Sequence, residues 1–175
     1  IYLRAGEKYT VEELLYGLML RSGNDAAVAL ALHHSGSISA FAHEMTVRAA
    51  FMGASDSVFS NPHGLPAAEH RTTARDLALI AAHAMENAVF RTIVSTRYYA
   101  PRGWTNKNKM LSTYDGAIGI KTGFTSEAGR CLVTGAERNG MTVVSVVLNS
   151  PSMYERSAAI LDNAFHDYTL TELCS

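Results

Sequence analysis

Asn139-Gly140 stands between two runs rich in apolar residues, 130–138 and 141–148, and no other pair constrains the fold of this chain as tightly. Both residues tolerate positive φ, as a two-residue type I′ turn requires, so the runs should fold back on each other as an antiparallel hairpin. Thr142, Val143, Val144, Val146, Val147 and Leu148 leave little polar surface, so this strand is expected to be central and buried on both faces. Residues 97–100, before Pro101-Arg102-Gly103, and 118–122 are further strand candidates. Ser150-Pro151 opens a last helix with Met153, Ser157, Ile160, Leu161, Ala164 and Tyr168 directed inward.

The first ninety residues have a different period. Thr10-Val11-Glu12-Glu13 has the form of a capping box, and Val11, Leu14, Leu15, Leu18 and Met19 then share one helical face. This helix is expected to stop at Ser22-Gly23, where glycine permits a sharp exit. Residues 25–33 are mostly Ala, Val and Leu and predict a helix buried nearly all round. Ser39 is a candidate cap for another, with Phe41, Ala42, Met45, Ala49 and Met52 inward and Gly53 at its end. Ser60-Asn61-Pro62-His63-Gly64 is a strong turn signal. Thr73-Ala74-Arg75-Asp76 repeats the capping-box form before Leu77, Ile80, Ala81, Ala84 and Met85. Helices followed by an antiparallel sheet with a terminal helix behind it define an α+β layout. Without repeats, low-complexity tracts or a linker, residues 1–175 are expected to form a single domain.

Composition narrows the function. Hydrophobic residues at 47% and charged residues at 18% exclude a disordered chain, and a net charge of −1 gives no basis for nucleic-acid binding or a polybasic membrane contact. No apolar run approaches the ~20 residues of a bilayer span. Ile1-Tyr2-Leu3-Arg4 has neither the basic start nor the apolar stretch of a signal peptide, and the expectation is a cleaved or truncated product. Cys131 and Cys174 make no disulfide framework; Cys131 is expected as a buried thiol in a strand and Cys174 in a loose tail. His33, His34, His43, His63, His70, His83 and His166 have no metal-ligand spacing, and neither metal nor cofactor is expected.

Two polar segments carry chemistry. In Gly119-Ile120-Lys121-Thr122-Gly123-Phe124-Thr125 a cation, a hydroxyl and a glycine follow an apolar stretch. Lys121 and Thr122 could hold a substrate carboxylate, and Gly123 lets a substrate backbone come close. The Phe124 N–H could serve as an oxyanion donor. Ser22-Gly23-Asn24 lies ninety-nine positions before Lys121, directly after the first helix. Ser22 could pass protons there and Asn24 hydrogen-bond a substrate amide, although both also suit an ordinary helix stop and cap. Trp104-Thr105-Asn106-Lys107-Asn108-Lys109 reads as a loop that could bring Lys107 to an anionic substrate end.

In order and content these segments resemble the serine-type D-alanyl-D-alanine carboxypeptidases, the low-molecular-weight penicillin-binding proteins. The resemblance runs through 14–27, Phe59-Ser60-Asn61-Pro62-His63-Gly64-Leu65, Thr72-Thr73-Ala74-Arg75-Asp76-Leu77-Ala78, Asn106-Lys107-Asn108, 119–125 and Ala128-Gly129-Arg130-Cys131-Leu132-Val133. It implies a β-lactamase/DD-peptidase-like fold. It also implies hydrolysis of the terminal D-Ala-D-Ala bond of peptidoglycan stem peptides through a serine acyl-enzyme, outside the cytoplasmic membrane, with β-lactams as inhibitors. By the same resemblance Ser22 moves protons, Asn24 orients substrate, and Lys121 and Thr122 hold the terminal carboxylate. Phe124 supplies an oxyanion N–H, and Lys107 assists carboxylate binding.

One departure is large. The family's Ser-x-x-Lys motif is missing: the residues three places before Lys8, Lys107, Lys109 and Lys121 are Ala5, Trp104, Asn106 and Ile118. The chain is therefore expected to be incomplete at its N-terminus, to hold the substrate-binding half of a site, and to be unable to acylate alone. Pairing with the missing part or a swapped dimer would cover the surface left bare. The alternatives are a non-catalytic module that recognises peptidoglycan stems, and a class A β-lactamase-like hydrolase. For the second, Glu69 and Glu86 are the only acids near a suitable position, and neither sits in a fitting motif.

Overall fold

The computed structural model describes residues 1–171, and Cys174 lies outside them. A three-stranded antiparallel sheet in the order β3-β4-β5 is formed by Ala117–Thr125 (β3), Gly129–Arg138 (β4) and Met141–Val147 (β5). Asn139 and Gly140 both take positive φ, 52° and 77°, so the β4–β5 turn is the expected one. Among the described residues β5 pairs only with β4, which lies between β3 and β5, and β5 packs on both faces, through Val143 and Val147 on one side and Val144 on the other. An apolar run reports burial of side chains, whereas a strand's place in the sheet depends on which backbones reach it.

Helices cover both faces. Leu132 and Ala136 of β4 and Val147 of β5 pack with Met153 and Leu161 of the last helix, α7 (Met153–Asp167). Ile120 packs on the other side with Ala81 and Met85 of α4 (Ala74–Met85) and Val94 of α5 (Ala88–Ser95). The inward set expected for α7 is partly corrected. Met153, Ser157 and Leu161 are buried, but Ile160 and Tyr168 are exposed, because the stripe continues through Phe165. The short helix α5 carries no period long enough to be read in sequence, and it begins at Asn87, whose side chain accepts from Phe90 N.

The remaining helices are α1 (Val11–Arg21), α2 (Asn24–Ser35) and α3 (Ile38–Phe51), with a four-residue α6 (Met110–Thr113) before the sheet. Thr10 and Glu13 form the full reciprocal cap of α1. At α4 only half of it exists: Thr73 accepts from Asp76 N, while the Asp76 carboxylate turns into the protein. The cap of α3 is Ser37, not Ser39, and α2 is less enclosed than expected, with Leu32 exposed. β1 (Tyr98–Tyr99) and β2 (Trp104–Thr105) form a small hairpin, held on α1 by Tyr99 stacked on Tyr16 at 4.0 Å between ring centroids. Trp104 is thus a strand residue, not part of a loop.

Candidate active site

The exit from α1 brings the two polar segments together. Ser22, rather than the glycine after it, takes the left-handed conformation that ends the helix, with φ 61° and ψ 44°. Gly23 has φ −70° and sits in a tight place: a Cβ there would lie 3.1 Å from Asp25 Oδ1 and 3.3 Å from the Gly17 carbonyl oxygen. Asp25 braces the turn, its Oδ2 accepting from Leu3 N at 2.9 Å and its Oδ1 from Ala26 N. Burial pushes that carboxyl's pKa up, but the backbone donors Leu3 N and Ala26 N help to hold it below the usual range.

Turned out in this way, the Ser22 hydroxyl meets β3. Lys121 Nζ donates to Ser22 Oγ at 2.8 Å and to the Thr122 carbonyl at 2.6 Å. Loss of water around this ammonium, with the Lys107 charge nearby, pushes its pKa down from 10.5 to about 8. A lysine in that state is charged in most molecules at neutral pH and bare in roughly a tenth of them, so it can both give and take a proton. Its partner hydroxyl can pass that proton on.

A cavity of about 360 Å³ opens beside this pair, with Ser22, Lys107, Thr122, Gly123 and Phe124 in its wall. Five of the residues singled out in the sequence therefore share one cleft, and Lys121 adjoins it through Ser22. Asn24 is not in the cleft wall; it is exposed as the first residue of α2, next to Gly23. The Phe124 side chain is also exposed.

Lys107 is set in place by its backbone and its asparagine neighbours. Its N–H donates to the Leu20 carbonyl at 3.2 Å, and Asn106 Nδ2 donates to the Val94 and Thr96 carbonyls. Asn106 and Asn108 then accept from Asn108 N and Met110 N, which makes the turn rigid. Free of other pairing among the described residues, the far edge of β3 runs along the cleft with its backbone groups open.

Sequence reasoning missed three residues of the wall: Arg130, Met153 and Tyr154. Met153 was expected in the core, where it also belongs. Arg130 was legible only through register, because Phe124 pairs with Arg130 across the β3–β4 turn. Cys131, next along β4, is a free, half-buried thiol rather than a buried one.

This fold is that of the DD-peptidases. The crystal structure of the Streptomyces K15 DD-transpeptidase superposes with a TM-score of 0.86 at 38% identity, over 95% of this chain and 71% of that one. A penicillin-binding protein homolog from Mycobacterium tuberculosis gives 0.87 at 32% identity, over 98% and 70%. The chain belongs to the D-alanyl-D-alanine carboxypeptidase family, whose model matches residues 1–152. The D-alanyl-D-alanine carboxypeptidase of Streptomyces sp. K15 is 41% identical over 90% of this chain, and DacF of Bacillus subtilis 35% identical over 96%. The chain spans 60% and 46% of the length of those two relatives.

Proposed function

We propose that this chain supplies the substrate-binding and proton-handling part of a serine-type D-Ala-D-Ala carboxypeptidase. The enzyme removes the terminal D-alanine from peptidoglycan stem peptides, outside the cytoplasmic membrane. One observation carries the reading: the Ser22–Lys121 hydrogen bond, made across ninety-nine residues beside a cleft and a free strand edge.

In this reading the peptide lies along the open edge of β3 as an added strand, with Gly123 leaving room for its backbone. The Phe124 N–H points toward the scissile carbonyl and stabilises the oxyanion. Asn24 hydrogen-bonds the substrate amide from beside the cleft. The attacking serine comes from a Ser-x-x-Lys segment outside these 175 residues and packs against Ser22. When it attacks, its proton passes by way of Ser22 and Lys121 to the departing D-alanine nitrogen, and water then releases the acyl group. β-Lactams acylate the same serine. Lys107 contributes a positive wall for the anionic end of the peptide.

Labelled penicillin tests the division of labour. Covalent label is expected on a protein that carries this stretch together with a Ser-x-x-Lys segment, and none on the 175-residue chain alone. Stoichiometric label on the chain alone would falsify the reading. In the protein with both parts, Lys121→Met or Ser22→Ala should lower D-alanine release by ~100-fold or more.

A further inference from the structure

Three hydroxyls are enclosed where the fold gives them no partner. Thr134 of β4 and Ser157 of α7 are fully buried, Ser145 of β5 is 2% exposed, and none of their side-chain oxygens has a hydrogen-bond partner among the described residues. Burial of an unpaired hydroxyl is costly, and buried polar groups are almost always paired, with protein or with water. A helical hydroxyl can turn back on the carbonyl one turn earlier. Thr46, Thr92 and Thr113 do so, donating to the Ala42, Ala88 and Lys109 carbonyls at 3.0, 2.9 and 3.0 Å. Ser157 makes no such bond.

Strand register and helix period bring the three together. Thr134 and Ser145 are directly opposed across the β4–β5 pair, so their side chains share one face of the sheet. On that face Thr134 stands between Leu132 and Ala136, and Ser145 between Val143 and Val147, all of them in the layer packed with Met153 and Leu161 of α7. Ser157 lies four residues from each of these two, on the same buried stripe of the helix. Each element therefore presents a hydroxyl at the middle of its apolar contact, and the three face one another between sheet and helix. Ser145 and Ser157 are also shorter than the Leu, Val and Met side chains around them, which leaves room at the centre of the layer. Three neutral hydroxyls offer both donors and acceptors and no charge, a set that suits water and not a metal ion.

We propose that Thr134, Ser145 and Ser157 form a closed binding site for a single internal water molecule that pins α7 to the sheet. Three partners are the usual number for a buried water. The pin bears on the cleft, because Ser157 lies one turn beyond Met153 and Tyr154, both of which line it. By fixing where α7 sits on the sheet, the water fixes these two wall residues. The site is independent of the carboxypeptidase reading.

Magnetic relaxation dispersion of the water oxygen, measured on the 175-residue chain, tests this, because it counts long-lived internal waters and is blind to the exchange of hydroxyl protons. Removing the three hydroxyls together, by Thr134→Val, Ser145→Ala and Ser157→Ala, should take one water from the count. Thr134→Val or Ser157→Ala alone should raise the unfolding equilibrium constant about tenfold, because the water keeps an unmet bond. The triple variant should return to within about threefold of wild type, since no polar group is then left to satisfy. An unchanged count, or single effects that simply add in the triple variant, overturns the site. A crystal structure of the unaltered chain gives a check that needs no variant. Density for a water within about 3 Å of all three hydroxyl oxygens is expected, and hydroxyls turned onto backbone carbonyls without such density overturn the proposal.

Discussion

Lys121 and Asp76 are both ionisable and both withdrawn from water, yet their surroundings are opposites. Asp76 is fully enclosed beneath the segment that joins α3 to α4. Its Oδ2 accepts from Asp56 N at 2.9 Å and from Ser57 Oγ at 2.8 Å. It also stands in the first turn of α4, where the helix dipole favours an anion. Lys121 has a hydroxyl and a carbonyl as partners, a second cation nearby and an open cleft beside it. An enclosed charge with partners fixed by the fold holds a structure together. A charge left poorly compensated next to a cavity costs stability and is kept for chemistry.

The sharpest way to break that contrast is to remove each charge and compare the signs. Asp76→Ala should destabilise the chain by about 4 kcal/mol, because the Asp56 N–H and the buried Ser57 hydroxyl lose their acceptor and α4 loses its N-terminal anion. A urea midpoint unchanged from wild type would show that the carboxylate is not structural. Lys121→Met should do the reverse at pH 7 and stabilise by about 2 kcal/mol: relief of the depressed pKa outweighs the hydrogen bonds lost. The pH dependence sharpens this. Between about pH 8 and 10.5 the unfolded lysine binds more protons than the folded one, so wild-type stability should rise with pH across that window. Below pH 8 the full cost is present. Lys121→Met should lack this rise, and parallel curves for the two proteins would exclude an uncompensated ammonium.

Much of this was legible in the sequence wherever the signal was local. Asn139-Gly140 requires only its own backbone torsions, and Thr10 with Glu13 needs four consecutive residues, so both were readable. Thr73 to Asp76 has the same spelling as the α1 cap, but Asp76 finds better donors in Asp56 and Ser57, some twenty residues away, and the local motif yields. The short helices α5 and α6 depend on partners rather than on period. In the site, Lys121, Thr122 and Gly123 were visible as residue types suited to a task. That Lys121 turns to Ser22 while Arg130 stands beside Thr122 follows only from strand register, which no run of residues displays.

The smallest effect is expected at His70, in the same segment that Asp76 anchors, and it asks whether that segment is held by uncharged contacts as well. His70 Nδ1 accepts from Ser60 N at 3.0 Å, and the ring meets the Phe59 ring edge-on. Burial, helped by His63, holds its pKa below the usual 6.5. The neutral ring is therefore the folded form, and the stability that it contributes is fully present above pH 6.5. As pH falls from there through the depressed folded value, the unfolded chain takes up the proton more readily and stability declines. Protonation at Nδ1 would replace the acceptor with a donor facing the Ser60 N–H. Hydrogen exchange of the Ser60 amide should therefore lose protection, beyond the intrinsic pH effect, as pH drops from 7 to 5, while the amide of Asp56, held by Asp76, does not. Equal loss at both amides would mean that the segment opens as one unit and that Asp76, not His70, sets its stability.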